Sequence, residues 1–464
     1  MKMYRLLALI FATLYSVAPL AAAPPVLVIS VDGLHPAYVT DADRHGLKIP
    51  TLRQLMQKGA YARGVVGVVP TVTYPSHTTL MTGLTPREHG IISNTPFDPL
   101  NVNKEGWYWY AEDIKVKTLW DIAANAHLRT ASVNWPVTVG NRSISFLLPE
   151  YWRAQTPHDL KLMRQLDRPE DLMEQLEAKL GPFIDGNTGT IESDWIRTRF
   201  SIALMREHKP QFMAVHIIAL DETEHEHGPF GKPAFDTLEQ LDKMIGEMMD
   251  AAAALDPSTV IAVVSDHGFI ATHTAVNLRT RFVDVGLIKL KQSPSGATVI
   301  DDWQAQLWNG AASAAVVLKD PANKEVKDRV AALLKSVAAD PRNGIARVLD
   351  KAELSATGGF PAADFLVEFA PGFYLGTEVK GDLLRPGVSK GTHGYLPSRP
   401  EMHAAFFIRG PNIDAGRDLG IIDMRQIAPT LAGILGLRLP HKTEAPLQLS
   451  QSQLPSRPAS SPGR

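Results

Sequence analysis

Three acidic or histidine-bearing pieces sit at or just beyond the ends of apolar runs. Asp32 closes Val31-Asp32-Gly33, Asp266 and His267 open Asp266-His267-Gly268, and Asp221 and His225 fall in Asp221-Glu222-Thr223-Glu224-His225. A fourth piece, Gly391-Thr392-His393-Gly394-Tyr395, sets His393 between glycines, where the backbone bends tightly. Taken singly these are ordinary: an Asp-Gly at a strand end is usually a turn, and Asp221 with His225 makes a solvated pair on a helix face. Taken together, three Asp and three His make two sets of oxygen and nitrogen ligands, which suits two zinc ions, with other divalent cations open. The chain has no cysteine, so disulfides, thiol catalysis and Cys-ligated metal centres are excluded.

Two metals about 3.5–4 Å apart stabilise both the attacking and the leaving oxygen of an in-line phosphoryl displacement. The segment Thr71-Val72-Thr73-Tyr74-Pro75-Ser76-His77-Thr78 is rich in hydroxyl groups that could attack. Thr73 precedes an expected helix start near Ser76, and a helix N-terminus favours an anion. A coordinated hydroxyl has a lowered pKa and becomes an accessible alkoxide. Residue types alone do not separate Thr71, Thr73, Ser76 and Thr78, and Ser76 reads equally as an N-cap.

These groups need a scaffold that gathers them. Val26–Val31, Phe212–Ile218 and Val260–Val264 are continuous apolar runs of the kind covered on both faces in a parallel sheet. Helical spacing appears at Thr51–Lys58, Leu238–Ala254 and Met424–Leu435. The alternation predicts an α/β fold with a mostly parallel central sheet, helices on both faces, and ligands at the carboxyl ends of its strands. Residues 293–381 carry a second α/β pattern, with Val326–Ala338 helical and Phe365–Phe369 strand-like, and read as a smaller inserted subdomain. A segment from about 101 to 164, holding Trp107, Trp109, Trp120, Trp135 and Trp152, reads as an insertion near a binding cleft.

Residues 1–23, with Lys2, Arg5, a short apolar stretch and Ala21-Ala22-Ala23, read as a cleaved signal peptide, so the product is expected to be exported, periplasmic or secreted, with no span in the mature protein. The catalytic unit then covers 24–447, and residues 448–464, rich in Ser, Pro and Gln, form a disordered tail. Lysine and arginine number 47 against 49 acidic residues, so no global basic excess draws nucleic acid, and no stable nucleic-acid complex is expected.

The pieces VISVDG, TVTYPSHTTLMTGLTPREHGIISN, DETEHEHGP, SDHGF and GTHGY, spanning Asp32 to Tyr395 in order, resemble the nucleotide pyrophosphatase/phosphodiesterase family of the alkaline phosphatase superfamily. The resemblance implies an alkaline-phosphatase-like fold and a small phosphodiester or nucleotide substrate. It puts the nucleophile on Thr73 and a phosphoryl-binding amide on Asn94. It groups Asp221, His225 and His393 around one zinc, and Asp32, Asp266 and His267 around a second that also contacts Thr73. It further implies a double displacement through a phosphothreonine. Tyr74 stands where the family has a Phe that packs on the leaving group, Ser76 replaces an Asn, and Glu224 replaces a Gly and adds a charge. His227 and His273 lie close to ligands in sequence without an expected direct role. A phosphate monoesterase or phosphonate hydrolase on the same two-metal core is the alternative, and a monoester would call for an extra cation such as Arg142 or Arg153. A non-catalytic zinc-binding module and a phosphomutase of the superfamily fit less well, because Thr73 and Asn94 are both present and the leader points outside the cell.

Overall fold

The computed structural model describes residues 23–103, 106–152, 158–183 and 186–451, which leaves Arg153, all but Ala23 of the expected signal peptide, and 452–464 of the expected tail outside the described residues. Its centre is an eight-stranded sheet. Val26–Val31 pairs in parallel with Phe212–Ile217 on one side and Val260–Val264 on the other. Thr130–Val133 and Phe146–Leu148 extend the parallel part beyond Phe212–Ile217. Phe406–Arg409 runs antiparallel to Val260–Val264, and the short strands Ala60–Tyr61 and Arg417–Asp418 complete that edge. This is the mostly parallel α/β architecture that the apolar runs predict.

The strands are apolar throughout because both faces are covered. Leu27, Ile29 and Val31 enter one core with helices Pro50–Lys58, Ile191–His208 and Lys232–Leu255, while Val26 and Val28 enter the other with residues of Thr73–Thr82, Leu119–Asn125 and Ile427–Ile434. Successive side chains of a strand point to opposite faces, so a single strand feeds both cores. The helix expected from Leu238 begins earlier, at Lys232, because Pro233 in the first turn forfeits only an N–H that has no helical partner there.

A separate four-stranded antiparallel sheet is built from Ala305–Asn309, Ser313–Leu318, Phe365–Phe369 and Ile345–Leu349, with helix Lys324–Ala338 packed on it through Val326, Val330, Leu334 and Val337. Its other face meets Val69 and Ile92. Three hydrogen bonds tie this sheet to the stretch around Asn94: Ser93 Oγ donates to the Asn309 carbonyl at 2.7 Å, Trp308 Nε1 to Thr95 O at 2.9 Å, and Gln306 Nε2 to Pro99 O at 2.9 Å. The second sheet therefore braces a segment that passes beside the strand ends.

The long helix also organises its neighbour. Asp242 is buried within it and accepts from the backbone N–H groups of Thr51 (3.1 Å) and Leu52 (2.8 Å), two of the donors that the start of Pro50–Lys58 leaves without helical partners. Asp242→Ala is expected to lower stability by about 1–2 kcal/mol, the usual loss for a cap on orphan N–H groups. Urea unfolding followed by circular dichroism measures it, and an unchanged midpoint would remove Asp242 from this role.

Candidate active site

The side chains singled out by type and spacing gather at the carboxyl ends of the central strands. Asp32 follows Val26–Val31 and Asp266-His267 follow Val260–Val264, while Asp221 and His225 lie four residues apart on one face of helix Ala219–His227, which follows Phe212–Ile217. Asp194 sets the start of that helix. It is fully buried, accepts from Ile218 N at 3.0 Å and Ala219 N at 2.8 Å, and is paired with the buried Arg197.

Two groups of potential ligands form there. Ligand atoms of Asp221, His225 and His393 lie within 4.8 Å of one another, and so do those of Asp32, Asp221 and His267. Asp221 thus belongs to both groups. Asp266, expected in the second set, stands beside it, with Oδ2 at 3.0 Å from His267 Nε2 and Oδ1 accepting from Gly33 N at 3.1 Å.

Hydrogen bonds fix two of the imidazoles. His225 Nδ1 donates to Gly391 O at 2.9 Å and His393 Nδ1 to Thr71 O at 3.0 Å, which leaves Nε2 of each as the electron-pair donor. The His267 and His393 rings stack with centroids 3.6 Å apart. Asp32 Oδ1 and Asp221 Oδ1 are buried and have no hydrogen-bond partner, and Asp266 Oδ2 and His267 Nε2, also buried, lie 3.0 Å from each other without hydrogen-bond geometry. Other buried side-chain atoms, such as Ser76 Oγ and Trp120 Nε1, also lack a partner, but these four belong to residues that converge on one small space, and that convergence points to a cationic partner.

The electrostatics agree. Burial pushes the Asp32 carboxyl well above the ordinary range, and the charges of Asp266 and Asp221 add to this. Burial also raises Asp221, although His225 and His267 oppose it. At Asp266 burial is outweighed by His267 and His77, which hold the carboxyl well below its usual value. Burial, reinforced by His267 and His225, drives His393 well below the ordinary imidazole value, which favours the neutral ring. Three carboxylates cannot all ionise in so small and dry a space without a cation between them. Oxygen and nitrogen donors in this mix suit a divalent ion.

The hydroxyl segment lies alongside, and the structure separates what residue type alone does not. Thr71 is fully buried; its hydroxyl donates to Tyr395 O at 2.7 Å and accepts from Gly394 N at 3.1 Å, which binds this segment to the His393 loop. Thr78 Oγ1 donates to Tyr74 O at 2.8 Å. Ser76 is buried, its Oγ unpartnered, one turn inside the helix. The helix starts at Thr73 rather than near Ser76, so Ser76 does not cap it; Pro75 fits in the first turn, where its missing N–H costs nothing. Thr73 is the first helical residue and is partly exposed. Asn94 Oδ1 accepts from Tyr74 N at 2.9 Å, which occupies one first-turn donor and turns the amide beside the helix start.

Other expectations are placed differently. Tyr74 is fully buried rather than open to a leaving group, because the hydroxyl that a Phe lacks donates to the buried Glu150 at 2.6 Å. Trp107, partly exposed, meets the Tyr74 ring edge-on and stacks on Trp109, so the tryptophan-rich segment supplies the aromatic surface here. Glu224 does not add an open charge. It is fully buried, accepts from Tyr38 OH, and burial drives its carboxyl well above the ordinary range. His227 and His273 are exposed and belong to neither ligand group. Arg142 lines a surface cavity with Arg129 and Arg168, near the amino-terminal end of Thr130–Val133 and away from the ligands.

Two supporting residues carry no role in the sequence reading. His216 contacts Asp32 Oδ2 through Nε2 at 3.0 Å, and Glu150 accepts from Tyr74 and Trp152 and faces His216. The available signal for His216 is a lone imidazole inside an apolar strand, which must find a polar partner.

The chain thus sets a cluster of candidate metal ligands at the strand ends of an alkaline-phosphatase-like α/β fold. The sequence profile described as Type I phosphodiesterase / nucleotide pyrophosphatase matches residues 26–396, and the chain belongs to that family. It is 24% identical over 288 residues to ectonucleotide pyrophosphatase/phosphodiesterase family member 1 of Mus musculus, covering 59% of this chain and 27% of the relative. A match to an uncharacterized pyrophosphatase/phosphodiesterase of Schizosaccharomyces pombe is 25% identical and covers 53% and 45%. The chain thus spans about a quarter of the mouse relative's length and under half of the yeast one's. In fold it is similar to human ectonucleotide pyrophosphatase/phosphodiesterase 5, with a TM-score of 0.63 at 19% identity over 90% of this chain and 97% of that one. An inactive form of the murine counterpart, in complex with AMP, gives 0.62 at 20% identity. Among the described residues no helix is long and apolar enough to cross a membrane.

Because Asp221 belongs to both ligand groups and His225 to one, their removal should differ. Asp221→Ala is expected to strip metal from the protein broadly, and His225→Ala to lower it by about one equivalent. Elemental analysis after dialysis against a weak chelator distinguishes them; equal metal content in both variants would break the shared-ligand reading.

Proposed function

We propose that this chain is an exported phosphodiesterase/nucleotide pyrophosphatase that cleaves phosphodiester or pyrophosphate bonds through a phosphothreonine on Thr73, with two zinc ions as cofactor. The observation that carries the reading is the set of orphaned, buried ligand atoms of Asp32, Asp221, Asp266 and His267 beside a helix whose first residue is a partly exposed threonine. Asp221, His225 and His393 would hold one cation, and Asp32, Asp266 and His267, with Asp221 at their edge and the Thr73 hydroxyl, the other. When bound, the pair supplies positive charge for the phosphoryl oxygens and lowers the pKa of a coordinated hydroxyl.

Thr73 Oγ1 attacks phosphorus in line with the leaving alcohol or phosphate, forming one P–O bond as the other breaks. Water then cleaves the phosphothreonine and regenerates the hydroxyl, so the sum is hydrolysis of one phosphoester or phosphoanhydride bond. Asn94, its Oδ1 engaged by Tyr74 N, keeps Nδ2 as a donor for a nonbridging oxygen. Trp107, supported edge-on by Tyr74, offers an aromatic surface to the leaving group. Arg142, near the opposite strand ends, is not placed to meet the extra charge of a monoester. A nucleotide substrate is supported by the family and by the AMP complex of the murine structural neighbour.

Thr73→Ala is expected to keep the metal content and lose turnover by about 10³-fold or more. The assay compares a nitrophenyl phosphodiester with the matching monoester on zinc-loaded protein. Preference for the monoester would move the function to phosphatase, and full activity in Thr73→Ala would remove the nucleophile.

A further inference from the structure

A buried chain of polar contacts runs from the aromatic wall to one edge of the ligand cluster. Glu150 is 2% exposed, yet its carboxylate is fully engaged. Oε1 accepts from Tyr74 OH at 2.6 Å and from Trp152 Nε1 at 2.7 Å, and Oε2 lies 3.2 Å from His216 Nδ1. His216, 1% exposed on the central strand Phe212–Ile217, also has Nδ1 at 3.1 Å from the Asn134 carbonyl. Its other nitrogen, Nε2, meets Asp32 Oδ2 at 3.0 Å.

The consequence falls on Asp32. One carboxylate oxygen is held by His216, and the other, Oδ1, has no hydrogen-bond partner and lies 3.4 Å from His267 Nε2 within the second ligand group. A carboxylate pinned at one oxygen presents the other in a single orientation. His216 is itself held at Nδ1 by Glu150 and Asn134 O, and it cannot swing, because the ring packs 4.4 Å from His77, which bonds Ser30 Oγ at 2.8 Å on the paired strand.

We infer that Glu150 and His216 are positioning residues that aim Asp32 Oδ1 and thereby set the affinity of one of the two metal positions, the one Asp32 serves. This rests on the two-metal reading above. Partners that orient a ligating carboxylate typically change metal affinity by about 10–100-fold when removed. A purely structural role would instead lower both positions together, or only the melting temperature.

The test is a zinc titration of the full chain in competition with a chromophoric chelator, for wild type, His216→Phe, His216→Gln and Glu150→Gln. The expected result is two equivalents in the wild type, with one of them weakened by about 10–100-fold in His216→Phe and Glu150→Gln and the other unchanged. His216→Gln, which retains an N–H donor, should recover part of the loss. If His216→Phe does not fold, Glu150→Gln, which keeps volume and the bond from Tyr74, still decides. Two wild-type affinities in variants that melt like the wild type would overturn the inference and leave the two-metal reading standing. A wild-type protein that binds no zinc would overturn both.

Discussion

Mutual repulsion among buried carboxylates is the constraint around which this molecule is arranged. Asp32 and Asp266, both buried, follow two central strands, and the half-buried Asp221 stands on the helix that follows a third. In a buried setting an unpaired charge costs several kcal/mol, so the fold spends rigid elements to hold the three at fixed separations. The parallel strands Val26–Val31, Phe212–Ile217 and Val260–Val264 are central and covered on both faces, which makes their ends the stiffest points from which to project a side chain. Helix Ala219–His227 is anchored by Asp194, a buried acid on a different helix, rather than by its own first residue.

Much of this is visible in the sequence because the signals are local. An apolar run followed by Asp, or by Asp-His, reports both a covered strand and what stands at its end, and Asp32, Asp266 and His267 follow from that pattern. Asp221 and His225 are marked instead by their spacing on a helix, and His393 by the glycines around it. The same locality explains where reading fails. Nothing near Ser76 says that the helix begins at Thr73, since the first-turn donor of Tyr74 is met by Asn94, twenty residues on. The fate of Tyr74 depends on Glu150 and that of Glu224 on Tyr38, contacts between distant parts of the chain that no spacing rule contains.

His216 marks the boundary between the two kinds of information. It lies in a run that reads correctly as a strand, but the imidazole is legible only as an exception to the apolar pattern. A buried polar side chain must be paired, and the partner is drawn from whatever the fold delivers: here Asp32 just after the adjacent strand and Glu150 after another. Two adjacent polar interruptions, Ser30 and His216, face one another in register and both serve the site. Departures from a strand's apolar rule, compared between neighbouring strands, thus locate supporting residues that motifs do not.

The segment from Thr71 to Asn94 shows why the site forms only with the whole fold. Thr71 is bound to the loop around His393, His77 to Ser30 on the first strand, and Ser93 to the second sheet. Each contact spans from tens to hundreds of residues, so the chain entropy of closing them is lost before any of them is gained. What offsets it is the apolar cover of two cores, formed by the strands that lead to the candidate ligands. Geometry at Thr73 is therefore a property of the sheet's burial as much as of its own neighbours. A loosened helix on either face would alter the separation among the carboxylates, whose mutual energy varies inversely with that distance.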